Sequence, residues 1–268
     1  MRGKKLSLIL CMLLTTTLVI GLCGCKEASA SVASGSDTSS KTTQQSTKTT
    51  KNTAAKKTTT KKSEPWKNVN MRGIPKVLDT LKKDDGDKLV LVNKLHAVSK
   101  KYKPTDMVTM DNSLTTWSNL ELKEDAYKAY KKMYKAAKKK GFNLKVCSAD
   151  RTYSTQKSLY NNSMKNRGKK ITNLRSAYPG RSEHHTGYAI DITSASMGWG
   201  LTQDFADYAD GKWINEHCSD YGFILRYPKG KTDITGYAYE PWHFRYVGVK
   251  VAKEIMEQGI TLEEYLGR

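Results

Sequence analysis

A long segment near the start of this 268-residue chain lacks the residues that build a hydrophobic core. From Lys26 to Lys62 it contains no Phe, Tyr, Trp, Leu or Ile and consists mainly of Ser, Thr, Lys, Ala and Gln. Burial of apolar side chains offsets the entropy lost on folding, and this segment has almost none to bury. We therefore predict a flexible linker over residues 25–66. The folded domain must then lie within residues 67–268, a length that is ample for one core.

The first 24 residues have the layout of a secretory signal, with a basic start at 1–5 and a mostly apolar run over 6–22. The Leu-Cys-Gly-Cys sequence at 22–25 resembles a bacterial lipobox, in which the signal is cut before the last cysteine and its thiol receives a diacylglycerol. Cys25 would then anchor the chain to the outer face of a bacterial cell membrane. The alternative is an uncleaved transmembrane anchor, because the apolar run is only just long enough to cross a bilayer. Both interpretations predict export.

The chain is strongly basic, with 46 Lys and Arg residues against 26 Asp and Glu residues and a net charge of +20. A basic exported domain beside a membrane meets anionic lipid head groups and wall polymers first. No Arg-rich arm or aromatic-interleaved basic motif indicates nucleic-acid binding, so we expect none. The following lysines are predicted to form one solvated helix face and not a binding stripe: Lys128, Lys131, Lys132, Lys135, Lys138 and Lys139.

Hydrophobic spacing within residues 67–268 predicts an α+β domain with a mainly antiparallel sheet and flanking helices. An amphipathic helix is predicted to begin after a capping-box pattern at 118–121 and to end near residue 140, with Leu122, Ala126, Tyr130, Met133 and Ala137 on its apolar face. Strands are predicted at 89–92, 142–148, 187–192, 223–226 and 241–247. Further helices are predicted at 152–167, 204–209, 213–221 and 249–257, with a capped turn at 261–264.

Two histidine-containing segments carry the candidate chemistry. They read Ser-Glu-His-His-Thr-Gly-Tyr-Ala-Ile-Asp at 182–191 and Glu-Pro-Trp-His-Phe-Arg-Tyr at 240–246. Two imidazoles and a carboxylate that leave one coordination position open are the ligand set of a catalytic zinc ion. His184, Asp191 and His243 could supply this set if the chain bends at Gly187. Taken alone, the spacing fits equally a buried histidine that pairs with an aspartate for structural reasons.

The two segments together resemble the VanY-type D-alanyl-D-alanine carboxypeptidases, which are zinc peptidases of bacterial peptidoglycan. The resemblance runs in the expected order over most of the domain, through 89–94, 102–104, 151–156 and 221–228 to Gly248. It implies a zinc enzyme that removes the terminal D-alanine from peptidoglycan stem peptides. These peptides and the membrane would be its partners, with no obligate protein partner evident.

The resemblance also implies a role for each candidate site residue. It makes His184, Asp191 and His243 the zinc ligands, Glu240 the general base, and Arg151, Ser148 and Gln156 the residues around the substrate's end. Arg151 would stabilise the oxyanion or pair with the terminal carboxylate. The chain departs from the family pattern at Ala149-Asp150, where Gly-Tyr or a similar pair is common. This departure leaves the pose of the substrate open.

The remaining histidines and cysteines receive other interpretations. We expect His185 to be a neighbour of the site, and His96 and His217 to be structural. If the three cysteines within residues 1–25 belong to the signal and the anchor, only Cys147 and Cys218 remain in the domain. A disulfide between them and a pair of buried thiols both fit an exported protein.

Two alternatives to D,D-carboxypeptidase activity stay open from the sequence. The nearer one changes only the cleaved bond, giving an L,D-carboxypeptidase or a D,D-dipeptidase that acts on the same class of peptides. The farther one is a non-catalytic wall-binding module that keeps a zinc fold. The intact set of His184, Asp191, Glu240 and His243 argues against the second alternative.

Overall fold

The computed structural model describes residues 79–84 and 86–268. The predicted signal, the lipobox with Cys25 and the linker therefore lie outside the described residues. Among the residues that are described, no helix has both the length and the hydropathy needed to cross a membrane.

The described chain forms an α+β domain, which confirms the predicted fold class. Its strands are β1 (Asp79–Leu81), β2 (His96–Val98), β3 (Met107–Thr109), β4 (Glu121–Lys123), β5 (Leu144–Ser148), β6 (Ala189–Ser194), β7 (Phe223–Leu225) and β8 (His243–Tyr246). Its helices are α1 (Glu124–Lys139), α2 (Tyr153–Arg175), α3 (Ala209–His217), α4 (Thr232–Thr235), α5 (Val249–Gln258) and α6 (Leu262–Tyr265). The main sheet has the order β5-β6-β8-β7 and is antiparallel throughout.

Helix α1 packs its apolar face into the main core, as the spacing predicted. Ala126, Tyr130, Met133 and Ala137 are all fully buried, and the six lysines of the predicted solvated face are exposed. The predicted capping box at 118–121 is wrong, because the helix begins only at Glu124.

The segment before α1 forms a strand instead. Asn119 adopts a positive φ of 60°, and Glu121 to Lys123 then pair with β3 as strand β4. This pairing buries Leu122 completely. Pairing with a distant strand thus outweighs a local capping pattern at this point.

The predicted strand at 89–92 is also absent. Leu89 lies in a turn, and the buried Arg245 side chain donates hydrogen bonds to the carbonyl oxygens of Lys88 and Val90, at 2.8 and 2.9 Å. These carbonyls are the groups that a neighbouring strand would otherwise bind. Leu89 and Leu91 of the segment still pack against a small core that includes Ile224, and Val92 is buried in another.

Helix α2 is longer than predicted and is interrupted near its middle. Thr152 caps its start by accepting a hydrogen bond from the Thr155 N–H, and the helix extends to Arg175. Gly168 breaks the regular conformation with φ 72° and ψ 170°, which a residue with a Cβ atom adopts only at an energetic cost. The two parts of α2 therefore run in different directions.

The register of the main sheet places three polar side chains in a row. Asp191 on β6 pairs with Ser148 on β5 and with His243 on β8. Because directly opposed residues of antiparallel strands lie about 4.5–5.5 Å apart, their side chains meet on one face of the sheet. The sheet therefore assembles residues that are nearly one hundred positions apart in the chain.

Candidate metal centre

His184, Asp191 and His243 converge into one cluster in the described part of the chain. One candidate ligand atom from each residue lies within 4.8 Å of the others, and all three side chains are buried. Asp191 and His243 come from the paired strands β6 and β8. His184 comes from a short 3-10 turn over Glu183–Thr186 that precedes β6.

The bend that the sequence analysis required at Gly187 is present. Gly187 ends the 3-10 turn with φ 71°, and a Cβ atom there would lie 2.6 Å from the sulfur atom of Met107. Any other residue would need both a strained backbone and a shifted neighbour. This turn brings His184 back over the first residues of β6.

The hydrogen bonds of the two histidines orient their rings toward Asp191. The Nδ1 atom of His184 donates to the carbonyl oxygen of Ala149 at 2.6 Å, so its Nε2 atom faces Asp191 Oδ2 at 3.2 Å. The Nδ1 atom of His243 lies 2.9 Å from Asp191 Oδ1. One nitrogen of each ring therefore faces the same carboxylate, as a shared metal site requires.

The protonation states of this cluster follow from its burial and its charges. Burial lowers the pKa of His184 to about 4, so this imidazole is neutral and has a free electron pair. Burial also opposes ionisation of Asp191, but His184, His243 and Arg151 hold the pKa of its carboxyl well below the usual value. For His243, the facing carboxylates of Asp191 and Glu183 outweigh burial and raise the pKa to about 9, so this ring must release a proton when it binds a metal. A carboxylate and two imidazoles form a donor set that can hold a divalent transition-metal ion.

Arg151 is fixed beside this cluster by three side chains. Its Nη2 donates to Asp191 Oδ2 at 2.7 Å, its Nε to Ser148 Oγ at 2.9 Å and its Nη1 to Gln156 Oε1 at 3.2 Å. Gln156 is held in turn by the carbonyl oxygen of Ala177, at 2.7 Å. Since a guanidinium carries five N–H donors, two remain available to a bound molecule.

Glu240 lies in the turn before β8 and lines the same cavity as the His/Asp/His cluster. Its backbone N–H donates to Tyr227, and its carbonyl accepts from the His243 N–H, both at 3.1 Å. Burial raises the pKa of its carboxyl group to about 7, against the opposing effect of His243. A carboxyl group with a pKa near neutrality is suited to accept and return a proton.

The cavity lined by the cluster, Arg151 and Glu240 has a volume of about 480 Å³, and Ser148 is not part of its lining. Besides the cluster, its lining includes Gln156, Leu201, Tyr227, Tyr237 and Trp242. This size and mixture of apolar walls with a few converging polar groups are typical of small-molecule and peptide sites.

The other histidines stand outside the cluster. The Nδ1 atom of His185 donates to the carbonyl oxygen of Arg151 at 2.6 Å, and its Nε2 accepts from the Gly180 N–H at 3.1 Å. His96 lies buried in β2, with its Nδ1 3.0 Å from Asn93 Oδ1, and His217 is partly exposed. The contacts of His185 support Arg151, whereas neither of the other two rings lines the cavity.

Of the two positions that depart from the family pattern, Ala149 binds His184 through its carbonyl oxygen, whereas Asp150 does not line the cavity of the metal cluster. Asp150 lines a second cavity of about 700 Å³ together with Glu121. Burial next to Glu121 raises the pKa of Asp150 to about 7. Cys147 and Cys218 are both free thiols, so the disulfide alternative is wrong.

Sequence reasoning did not single out Glu183, which precedes the first histidine of the cluster. Its side chain is buried and ion-paired with Arg226 and Arg245. The only signal in the sequence was an acidic residue inside the first motif. Its partners lie on β7 and β8 or next to them, more than forty positions away in the chain.

An antiparallel sheet that presents a buried His/Asp/His cluster, with a carboxyl group and an arginine in the same cavity, is the arrangement of a metal-dependent hydrolase. Residues 119–249 match the model of the VanY family, described as D-alanyl-D-alanine carboxypeptidase. YodJ of Bacillus subtilis (strain 168), provisionally named a carboxypeptidase, is 45% identical over 180 residues, which are 66% of this chain and 66% of YodJ. The match thus spans slightly less than two thirds of that relative.

Two solved structures are also similar to this chain. The LdcB LD-carboxypeptidase is 42% identical with a TM-score of 0.64, over 70% of this chain and 90% of LdcB. A Zn(II) complex of a mutant of the D,D-pentapeptidase VanY, from a VanB-type resistance cassette, is 29% identical with a TM-score of 0.58, over 67% and 98% of the two chains. VanXYC of Enterococcus gallinarum, a bifunctional D-Ala-D-Ala dipeptidase and D-Ala-D-Ala carboxypeptidase, is 35% identical over 181 residues, which are 66% of this chain and 92% of VanXYC. The chain therefore belongs to the VanY-type D-alanyl-D-alanine carboxypeptidase family.

Proposed function

We propose that the protein is an exported zinc carboxypeptidase that removes the terminal D-alanine from peptidoglycan stem peptides. The observation that carries this proposal is the convergence of His184, Asp191, His243, Glu240 and Arg151 in one cavity. Together they meet three needs of amide hydrolysis: the two histidines and Asp191 bind metal, Glu240 transfers a proton, and Arg151 stabilises charge. A non-catalytic wall-binding module would need neither proton transfer nor charge stabilisation.

Zinc is the metal that we assign to the cluster. Neutral imidazole nitrogens and one carboxylate oxygen are its usual catalytic ligands, and three protein ligands leave a position open. The similar VanY protein is solved as a Zn(II) complex. When bound, zinc would supply a Lewis acid that polarises the scissile carbonyl and acidifies a water molecule.

The chain's own residues would then carry the proton and the charge. Glu240 is placed to take a proton from the attacking water at its carboxylate and to return it to the leaving amine. Arg151 offers its remaining N–H donors either to the developing oxyanion or to the free carboxylate of the substrate's last residue. Its contacts with Ser148 and Gln156 keep the guanidinium in one orientation, which lowers the entropy lost when substrate binds.

A second candidate function is L,D-carboxypeptidase activity on tetrapeptide stems. The observation in its favour is the 42% identity to the LdcB LD-carboxypeptidase, which exceeds the 29% identity to the D,D-pentapeptidase VanY. Both activities use the same metal, base and cation, and differ only in how the residue before the cleaved bond fits the cavity. A D,D-dipeptidase is the third variant of this chemistry.

The test is mass spectrometry of the purified domain with pentapeptide, tetrapeptide and D-Ala-D-Ala dipeptide substrates. We expect the pentapeptide to lose one alanine, and chelation of zinc to stop the loss. Cleavage of only the tetrapeptide would support the L,D activity, and cleavage of only the dipeptide would support the dipeptidase. Cleavage of none of them by the zinc-loaded chain would contradict the proposed enzyme.

We also propose that Cys25 carries a lipid that holds the domain at the outer face of the bacterial membrane, with residues 25–66 as its tether. The signal layout at 1–24 and the Leu-Cys-Gly-Cys sequence support this proposal. In cells, Cys25→Ser should abolish labelling by a radioactive fatty acid, while Cys147→Ser should not. Persistent labelling of the Cys25→Ser chain would show that another residue is the anchor.

A further inference from the structure

Glu183 is the most deeply buried carboxylate beside the candidate metal ligands. Its Oε1 accepts hydrogen bonds from Arg226 Nε at 2.7 Å and from Arg245 Nη1 at 2.9 Å. Arg226 also donates two hydrogen bonds to Glu263, at 2.6 and 2.8 Å. The four side chains form a charge-balanced ion-pair network that is almost completely shielded from solvent.

The other oxygen of Glu183 faces a metal-ligand candidate. Glu183 Oε2 lies 3.5 Å from His243 Nε2, and neither buried atom has a hydrogen-bond partner in the described part of the chain. On the opposite side of the same ring, His243 Nδ1 faces Asp191. The imidazole therefore stands between a carboxylate that belongs to the metal cluster and one that does not.

We infer that Glu183 is a positioning residue that holds the proton of His243 on Nε2 and so leaves Nδ1 free to bind the metal. An imidazole that binds a metal through one nitrogen usually donates its other N–H to a carboxylate or a carbonyl group. For His184 that acceptor is the Ala149 carbonyl, and for His243 it is Glu183. This inference rests on the proposed metal centre.

The surrounding network explains how the carboxylate keeps its orientation. Two arginines bind the same oxygen of Glu183, so the second oxygen is directed at His243. Buried ion pairs seldom stabilise a fold more than well-packed apolar residues would, because both charges must be desolvated. Because such ion pairs add little stability, we assign this network the task of orienting the Glu183 carboxylate and not that of stabilising the fold.

The variant that tests this role is Glu183→Gln, with Glu263→Gln as its matched control. Both changes remove one negative charge from the same network, but only Glu183 faces His243. A glutamine amide can donate to His243 Nε2, which moves the ring proton to Nδ1 and blocks the metal. Thermal unfolding of both variants would report the loss of stability that they share.

Competition with a chromophoric zinc chelator would measure the zinc dissociation constant without any substrate. We expect Glu183→Gln to raise this constant by ~10- to 100-fold, and Glu263→Gln to leave it unchanged within error. Equal zinc affinity for Glu183→Gln and the unchanged chain would overturn the inference, as would equal losses in both variants. If the unchanged chain does not bind zinc at all, the proposed metal centre fails as well.

Nitrogen-15 NMR of histidines in the unchanged, zinc-loaded chain gives a second test that no folding defect can obscure. We expect a slowly exchanging proton on Nε2 of His243 and one on Nδ1 of His184. In Glu183→Gln the first signal should shift or disappear while the second stays. A His243 ring bound to zinc through Nε2 would refute the assignment.

A second, independent observation concerns the charge of the cavity away from the metal cluster. The two parts of α2 on either side of Gly168 each contribute an arginine, Arg167 and Arg175, to the cavity wall. Both side chains are exposed, and neither makes an ion pair within the part of the chain that is described. The positive charge of Arg175 extends to Glu240, whose pKa it helps to hold down. The acidic lining residues, Asp191 and Glu240, both lie at the cluster itself.

The geometry points to a carboxylate-binding site on the part of the cavity wall that Arg167 and Arg175 form. This site would select peptides with a free side-chain carboxylate near the cleaved bond. Arginine suits this task because its planar guanidinium can bind a carboxylate through two hydrogen bonds. This second inference rests on the proposed function, since it assumes that a peptide occupies the cavity.

The test compares two stem-type pentapeptides whose third residue carries a side-chain carboxylate that is either free or amidated. We expect the free acid to bind ~10-fold more tightly by calorimetry, as one charged hydrogen bond allows, and the Arg167→Ala/Arg175→Ala chain to lose this preference. Lys169→Ala/Lys170→Ala, on the same helix and outside the cavity lining, should keep it. Equal binding of the two peptides by the unchanged chain would overturn the inference. Preferential binding without turnover of either peptide would instead contradict the proposed enzyme.

Discussion

Asp191 and His243 face each other across strands β6 and β8, with Asp191 Oδ1 and His243 Nδ1 2.9 Å apart. Because they form a directly opposed pair in the sheet register, any slip of one strand by a single residue would move one of them to the other face. The main sheet therefore fixes two candidate metal ligands at once. The third, His184, depends on the turn that ends at Gly187.

Removal of His243 should abolish both metal binding and activity. His243→Ala leaves two ligands, and we expect the purified chain to hold far less than one zinc ion per molecule by atomic emission spectroscopy. His217→Ala is the matched control, because His217 is partly exposed and lies outside the cavity lining. Full zinc occupancy in His243→Ala would refute the ligand assignment.

Replacement of Glu240 should separate metal binding from catalysis. A general base is not a ligand, so Glu240→Gln should keep its zinc and still bind the peptide, while kcat falls by at least ~10²-fold. Glu257→Gln, which changes an exposed glutamate on α5, should retain full activity. If Glu240→Gln turns over at a near-normal rate, another group accepts the proton from water.

The buried ion pair between Asp84 and Lys123 should control stability at low pH. Burial alone would raise the pKa of Asp84, but the hydrogen bonds from Lys123 and from the Thr105 and Gly86 N–H groups lower it. A lowered carboxyl pKa in the folded state stabilises the fold above the unfolded value of about 4, and this contribution disappears as the pH falls through the folded value.

Asp84→Asn should therefore lower the free energy of unfolding by about 3 kcal/mol at neutral pH, because it leaves Lys123 buried without a counter-charge. Urea unfolding at successively lower pH would show the difference between the two chains shrinking below pH ~4. The control is Asp207→Asn at an exposed position. A difference that stays constant with pH would mean that the charge of Asp84 contributes nothing.

The candidate ligands could be singled out from the sequence because two motifs together resemble one family, whereas their spacing alone left a structural His–Asp pair equally open. His184, Asp191 and His243 were identified from two short segments, and the structure brings them together. The role inferred for Glu183 could not be predicted from the sequence. It depends on Arg226 and Arg245, which reach it only after the strands have paired.

Local patterns also failed where distant pairing competes with them. The pattern at 118–121 has the residue types of a helix cap, yet Glu121 enters a strand because β3 is available beside it. The apolar run at 89–92 has strand composition, yet its carbonyl groups bind the Arg245 side chain. By contrast, the capping box of Thr261 and Glu264 formed as predicted, since α6 has no competing strand.

Selectivity for a chain end should depend on Arg151. A carboxypeptidase must distinguish a free terminal carboxylate from an internal amide, and a cation in a partly dry cavity is the simplest way to do so. We therefore expect a C-terminally amidated peptide to resist cleavage. Arg151→Lys should lower kcat/KM, because an ammonium group cannot form the bidentate hydrogen bonds of a guanidinium. Since Arg151 also holds Asp191 Oδ2 at 2.7 Å, zinc content must be measured in each variant.

The comparison of acid and amide substrates decides which of its two roles Arg151 performs. If Arg151 binds the terminal carboxylate, the Arg151→Ala chain should be much less active than the unchanged chain on the free acid. On the amide, which the unchanged chain cleaves slowly, the two chains should differ little. Equal losses on both substrates, at unchanged zinc content, would assign Arg151 to the oxyanion, which both substrates form. Undiminished cleavage of the amide by the unchanged chain would reject a carboxypeptidase in favour of an endopeptidase, because recognition of the free chain end would then contribute nothing to transition-state binding.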